Sequence, residues 1–343
     1  MQHRITKPSR LLDKHGELIQ KGYATSLILK YQRKDVKKKL RLKEWDYYLI
    51  YNNDYGVALT VGKSPSVGLI SVSFIDFNKK EETSKSAIVL FKIGELNLPE
   101  SSEIGDFSYQ DKHVDVSFRH EDGERKLYIK MKNCINGADF ETFLALSKAP
   151  KDSMVIATPF EECKKEFYYN QKVIGMRAKG IVWIGDKTYT FSPDNSFGIL
   201  DWGRGVWPHK TTWYWSAAQG IVKDKIFGFN LGYGFGDTSA ATENMVFNDG
   251  IANKLEDVYF MIPRNKLHQN EYMKPWIITS SDHRIEMNFE PIFDRNLNLS
   301  VLVLSTMQHQ VFGRFTGTAV LDDGSEIYVK DFMGFAEIVV NKW

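Results

Sequence analysis

The sequence predicts a mainly β protein, built as two antiparallel β-barrel or sandwich halves packed together, with few short helices. Three observations predict it. Short segments rich in β-branched and aromatic residues recur along the chain, many alternating apolar and polar residues at period two. Turn-forming residues separate these segments at short, regular intervals. Helical periodicity is scarce, with 7–20 and 139–148 the best short candidates. A length of 343 residues suits two domains of ordinary size or one two-lobed unit.

In the first half, strands are expected at 45–52, 55–62, 68–77, 86–93, 113–120 and 126–133. Asn52-Asn53-Asp54 and Glu121-Asp122-Gly123 read as hairpin turns. The second half continues with 180–185, 187–192, 211–218, 226–236, 257–263, 276–281, 284–291, 299–306, 312–321, 325–332 and 334–340. Asp186-Lys187, Asn248-Asp249-Gly250 and Asp322-Asp323-Gly324 lie between strands. A weak internal repeat accompanies the pattern. Trp45-Asp46-Tyr47 and Trp213-Tyr214-Trp215 each open a strand, and 111–118 matches 282–289 in pattern at a similar distance downstream. A duplication would divide the chain into halves 1–160 and 161–343, with a ligand site in a cleft between lobes or at a barrel mouth.

Composition excludes several classes. Hydrophobic content of 43% and a net charge of +2 argue against disorder. No run of eighteen apolar residues spans a membrane, and the first residues lack a secretory apolar region. Cys134 and Cys163 do not make a disulfide framework, so the cytoplasm is the expected compartment. The basic run 33–43 is either a solvated edge or a patch for phosphates or for peripheral membrane contact. The remainder is not basic enough for nucleic acid. Metal-ligand spacings, a P-loop, a dinucleotide fingerprint and a nucleophile elbow are all missing, so neither a metal nor another cofactor is expected.

The candidate chemistry lies in the second half. Residues 194–215 hold Asp201, Arg204 and four of the eight tryptophans, Trp202, Trp207, Trp213 and Trp215. So many indoles make a wide apolar wall whose N–H groups need partners. Gly203 and Gly205 suggest a backbone bend. Asp201 and Arg204 are near enough in sequence to pair or to flank a ligand; alternatively Arg204 stacks on Trp202 and closes a barrel end. In 227–244, glycines 228, 232, 234 and 236 leave room on one strand face, beside the polar residues Asn230, Glu243 and Asn244. A glutamate in such a wall would have a raised pKa and could donate a proton, which makes Glu243 the first candidate acid and Asp201 the second. His309 is a further candidate acid, base or ligand contact.

The runs SRLLDKHGELIQKGYA, KEWDYY, FGILDWGRGVWP, GFNLGYGFGDTSAATEN, EMNFEPIFDR, QHQVFGRFTG and GFAEIVVNKW resemble the bacterial family known as domain of unknown function 2804. The resemblance covers essentially the whole chain and implies no established activity. More distantly, the Asp-Trp-Gly element, the following Trp-x-Trp strand and the two-lobed layout are similar to the lipocalin-like calycin group that includes carotenoid hydratase and tocopherol cyclase. That similarity implies two lipocalin-like barrels and a hydrophobic substrate, in some members protonated at a double bond. The full hydratase pattern is not matched here. Three functions stay open: a carrier or sensor binding a hydrophobic small molecule or lipid, a cofactor-independent hydratase, cyclase or isomerase using a carboxylic acid, and a structural or interaction protein.

Overall fold

The computed structural model describes residues 2–65, 67–90, 96–161, 163–301 and 304–342. The protein is mainly β, with two curled antiparallel half-barrel sheets packed together. Among the described residues the helical content is two single 3-10 turns, Arg33–Asp35 and Lys39–Arg41, both inside the basic run. The helices expected at 7–20 and 139–148 do not form. The first segment is turns and very short bridges, and the second is the strand Ala138–Leu146. Phe140 and Leu144 mimic a helical repeat, but Phe140, Thr142, Leu144 and Leu146 all point inward at period two.

Each sheet is organised around its Trp-opened strand. From Leu42–Tyr51 the chain meanders outward through Tyr55–Lys63, Val67–Asp76 and Glu81–Leu90. It restarts at the far edge and returns through successive hairpins until Phe197–Val206 pairs with the other side of Leu42–Tyr51. The second sheet does the same. Lys210–Val222 leads outward through Lys225–Tyr233, Met245–Asn248 and Ile251–Lys254, and the return ends with Glu326–Lys342 beside Lys210–Val222. The two Trp strands are therefore equivalent in topology. The downstream motifs are not: Val114–Glu121 lies second from its sheet's edge and Ile285–Val301 third. Sheet membership changes at 207–209, so 161–206, grouped by sequence with the second half, hydrogen-bonds in the first sheet.

The turn chemistry acts as expected at Asp122-Gly123 and Asp249-Gly250, where both residues of each pair have positive φ. Of the strand expected at 86–93, residues 86–90 lie in the strand Glu81–Leu90 and 91–93 lie outside the described residues. The one expected at 299–306 covers a hairpin junction between Ile285–Val301 and Leu304–Val320, whose residues 302–303 are outside the described set.

Three apolar cores follow from strand parity. One fills the first curl, a second fills the other curl, and the third lies between the sheets. Strands at the junction are covered on both faces, which is why Phe197–Val206 is buried throughout. On it, Leu200, Trp202 and Val206 face the first curl, while Ile199 faces the junction. Asp201, Gly203 and Gly205 share the parity of Ile199 and therefore face the other sheet.

Candidate functional site

A cleft of about 1080 Å³ opens at the junction, with walls from both sheets. Its aromatic lining comes from Trp45, Tyr47, Tyr168, Trp207, Trp213, Trp215 and Phe235. Phe235 is the hub, with ring centroids 4.7 Å from Tyr168, 5.0 Å from Trp207 and 5.4 Å from Trp213, all edge-on. Trp45 meets Trp207 edge-on at 4.9 Å.

Glycine makes this packing possible. A Cβ on Gly203 would come within 1.9 Å of the Trp45 ring, and one on Gly205 within 2.8 Å of the Trp207 indole nitrogen. Neither residue bends the chain; both sit in a regularly paired strand. The glycine face of Lys225–Tyr233 is likewise filled from outside. Gly228 leaves space for Ile174 of the first sheet, and Gly232 for the carboxyl of Glu243, whose Oε1 would lie 2.6 Å from a Cβ there.

Four of the ionisable groups that line the cleft interact with one another, Lys172 and Asp201 on one side and Glu243 and Glu337 on the other, and Lys43, pushed down to about 7 by burial, lines it too. Lys172 is buried, with its Nζ 3.1 Å from Asp201 Oδ2 and 3.9 Å above the Trp215 ring. Asn170 donates a further hydrogen bond of 2.6 Å to Asp201 Oδ1. Glu337 receives two hydrogen bonds, from Trp213 Nε1 at 2.9 Å on Oε1 and from Gln310 Nε2 at 2.9 Å on Oε2. Arg295 in turn donates to Gln310 Oε1 at 3.1 Å. Glu243 Oε2 is buried and has no hydrogen-bond partner among the described residues.

Lys172 acts on all three of these buried carboxyls, with Arg295 also lowering the pKa of Glu337 and Lys254 that of Glu243. Burial pushes Glu337 up to about 7, against the opposing pull of the Trp213 hydrogen bond and the Lys172 charge, with Asp201 raising it further. Burial raises Glu243 too, opposed by Lys172 and reinforced by Asp201. Nearby hydroxyls are held neutral: burial lifts Tyr47 to about 12 and pushes Tyr168 up as well.

The sequence-derived residues divide by strand parity. Asp201, Trp207, Trp213, Trp215 and Glu243 meet in the cleft. Trp202 and Arg204 do not; they lie on the opposite face of their strand, inside the first curl. The expected contact between Asp201 and Arg204 is absent from the structure. Arg204 pairs with Asp46 at 2.9 Å and Glu44 at 3.6 Å, donates to the carbonyls of Trp45 and Pro99, and stacks 4.4 Å over Trp202. That is the stacked arrangement inside a barrel which the sequence offered as an alternative. Asn230 supports the wall, accepting from Trp215 Nε1 at 2.7 Å and donating to the Glu243 carbonyl. Asn244 bonds the backbone at Gly232 and Glu256 and is not part of the lining. His309 faces away, 2.8 Å from Asp294 and stacked on Tyr272; its neighbours Gln308 and Gln310 reach the cleft instead.

Lys172, Glu337, Gln310 and Tyr168 were not singled out from sequence as site residues. The register Trp215↔Glu337 and Lys172↔Asp201 brings them in, and such cross-strand neighbours are not visible in a linear chain. Among the described residues no cluster of three metal-ligating side chains exists, and no helix is long and apolar enough to cross a membrane.

The sequence match spans the site and both sheets, since the family model for the domain of unknown function DUF2804 covers residues 2–343. The chain belongs to the DUF2804 family. No curated protein matches it. Among solved structures, this DUF2804 protein is similar to an AttH-type protein from Nitrosomonas europaea, at TM-score 0.57 and 12% identity, over 88% of this chain and 92% of that one. It is also similar to kievitone hydratase from Nectria haematococca, at TM-score 0.47 and 11% identity, over 88% of each chain. The likeness to the AttH-type protein is one of fold.

Proposed function

We propose that this DUF2804 protein is a cofactor-independent acid–base enzyme of the hydratase, cyclase or isomerase type, acting on a largely apolar small molecule. One observation carries the reading. Both hydrogen bonds to Glu337 from the cleft wall are donated to it. With its pKa near 7 the group holds a proton for much of the time at neutral pH. Neither Trp213 Nε1–H nor the Gln310 amide N–H can accept that proton. The acid is therefore presented to the cleft, where a bound molecule can take the proton.

The surroundings suit that step. Four indole and two phenol rings line the cleft, and their faces stabilise positive charge that develops on a protonated alkene or enol. Lys172 is already placed over Trp215 in this way. Once Glu337 has given up its proton, Trp213 and Gln310 hold the carboxylate. Glu243, with one oxygen unpartnered, is the second group able to move a proton, either from a captured water or from an adjacent carbon. Asp201, paired with Lys172, is held as the counter-charge, so the sequence-derived order of acids becomes Glu337 with Glu243 as its partner.

A carrier of a hydrophobic ligand would need the aromatic wall but not a desolvated, unpaired carboxyl oxygen, which is expensive to bury. The two unpaired cysteines fit a reducing cytoplasm. The test begins with native mass spectrometry of the purified protein to identify a retained ligand. Glu337→Gln and Glu243→Gln should then abolish conversion of that molecule and its unsaturated analogues while tryptophan-fluorescence titration still shows binding. Conversion that survives Glu337→Gln overturns the acid role; binding without conversion in the wild type favours the carrier.

A further inference from the structure

The mouth of the cleft carries an apolar lip inside a ring of cations, and we propose that this rim docks onto the surface of an anionic lipid bilayer. Leu40 stands on the 3-10 turn Lys39–Arg41, is 88% exposed, and lines the mouth together with Val67 and Leu69. Leu69 lies opposite Ile88 in the adjoining strand, and Ile88 is 68% exposed. Further along the same sheet face the opposed pairs are Ser71–Ser86 and Ser73–Ser84. The exposed apolar residues are thus confined to the end of the face that borders the mouth. A leucine so exposed adds little to the packing of the fold, and burying it in acyl chains would recover its transfer free energy.

The charge around the lip is equally local. Residues 33–43 hold seven lysines and arginines against one carboxylate, while the whole chain carries only +2, so the remainder is net negative. The one carboxylate, Asp35, is buried and bonded to Arg10 at 3.2 Å. Lys34, Lys37 and Lys39 are exposed beside Leu40. Arg41 and Lys38 share the buried Glu166 and are fixed on the same rim, with Arg41 also bonded to the Trp207 carbonyl. Lys43 and Lys63 line the mouth itself, where burial lowers the pKa of both, that of Lys43 to about 7. Exposed leucine framed by lysines is the pairing that an anionic bilayer satisfies on both counts, acyl chains for the lip and headgroups for the ring. A soluble polyanion would satisfy the cations and leave Leu40 in water.

Docking here would put the cleft opening against the bilayer, the source of apolar molecules, but the surface does not depend on the acid chemistry inside. The experiment is vesicle flotation of the full chain with phosphatidylcholine alone and with a two-to-one mixture of phosphatidylcholine and phosphatidylserine. Binding is expected with the mixture and not with phosphatidylcholine. Lys37→Gln with Lys39→Gln should lower partitioning on the order of twenty-fold, and Leu40→Ser about tenfold. All three positions are exposed, and unchanged melting temperatures would confirm intact folding. Glu337→Gln should float like the wild type, which separates this surface from the acid. Failure to float with either vesicle overturns the proposal. So does binding that Leu40→Ser leaves unchanged and that soluble heparin competes away, a result pointing to an acidic macromolecule instead.

Discussion

Replacing Glu337 with glutamine should change how stability responds to pH, and the structure fixes the sign. Burial lifts this carboxyl from an ordinary 4.5 to about 7 in the folded protein. Between those values the folded state holds a proton that the unfolded chain has released. Stability therefore falls as pH rises through that window, and the whole penalty is present above it. The displacement corresponds to about 3 kcal/mol, a ceiling that coupling to Glu243 and Asp201 will reduce. A glutamine at this position would not titrate. It would also set an amide N–H₂ against the Gln310 amide, a cost that does not vary with pH and so leaves the slope clean. Urea unfolding of both proteins at pH 5 and pH 8 is the assay. The stability of Glu337→Gln minus that of the wild type should rise by up to about 2.5 kcal/mol between the two conditions, since a small part of the penalty is already present at pH 5. Parallel profiles, or a variant that loses ground as pH rises, would refute the claim that Glu337 is a neutral acid at the lower pH.

Two further substitutions probe the frame around the cleft. Arg204→Met leaves Asp46 buried without its cation, while Glu44 keeps Arg33 at 2.8 Å, so urea unfolding should show a loss of about 3–5 kcal/mol; a loss below about 1 kcal/mol would mean that Asp46 protonates at little cost. Gly203→Ala drives a methyl into the Trp45 ring, and about 1–3 kcal/mol of destabilisation should come with altered tryptophan emission; wild-type stability would mean that the ring has somewhere else to go.

The fold class was legible because most strands bury one face, which writes period two into the sequence. Legibility failed where both faces are covered. Phe197–Val206 shows no alternation, and its glycines looked like a bend although they are clearances for Trp45 and Trp207. Cys163–Ile184 changes its inward parity at a bulge near Gly175, from Val173 to Met176, and so broke the pattern. The site was half legible for a related reason. A tryptophan-rich stretch with a nearby glutamate lines one wall of the candidate cleft, but Asp201 and Trp202, adjacent on one strand, must face opposite ways. Treating the stretch as a strand would have separated Asp201 from Arg204 and turned His309 away in favour of Gln310. Lys172 and Glu337 needed the register between strands, which no local pattern encodes.

Lys172 is the group on which the electrostatics of the cleft turn, and its removal should be felt unequally across the pH range. Its ammonium is bonded to Asp201 and lowers the pKa of both Glu243 and Glu337. Methionine in its place would keep contact with the Trp215 ring through its sulfur while removing the charge. In mild acid, where Glu337 is protonated, the variant should lose mainly the Asp201 pair. Above neutrality Glu337 must either ionise without the Lys172 charge, leaving Arg295 to act on it, or keep its proton against the solvent. The deficit of Lys172→Met relative to the wild type should therefore widen as pH rises, reaching about 3–5 kcal/mol near pH 8. Adding Glu337→Gln to the variant should remove part of that widening, since one of the two raised acids is gone. A deficit of the same size at pH 5 and pH 8 would mean that Lys172 serves Asp201 alone, and that the two glutamates are set by burial without it.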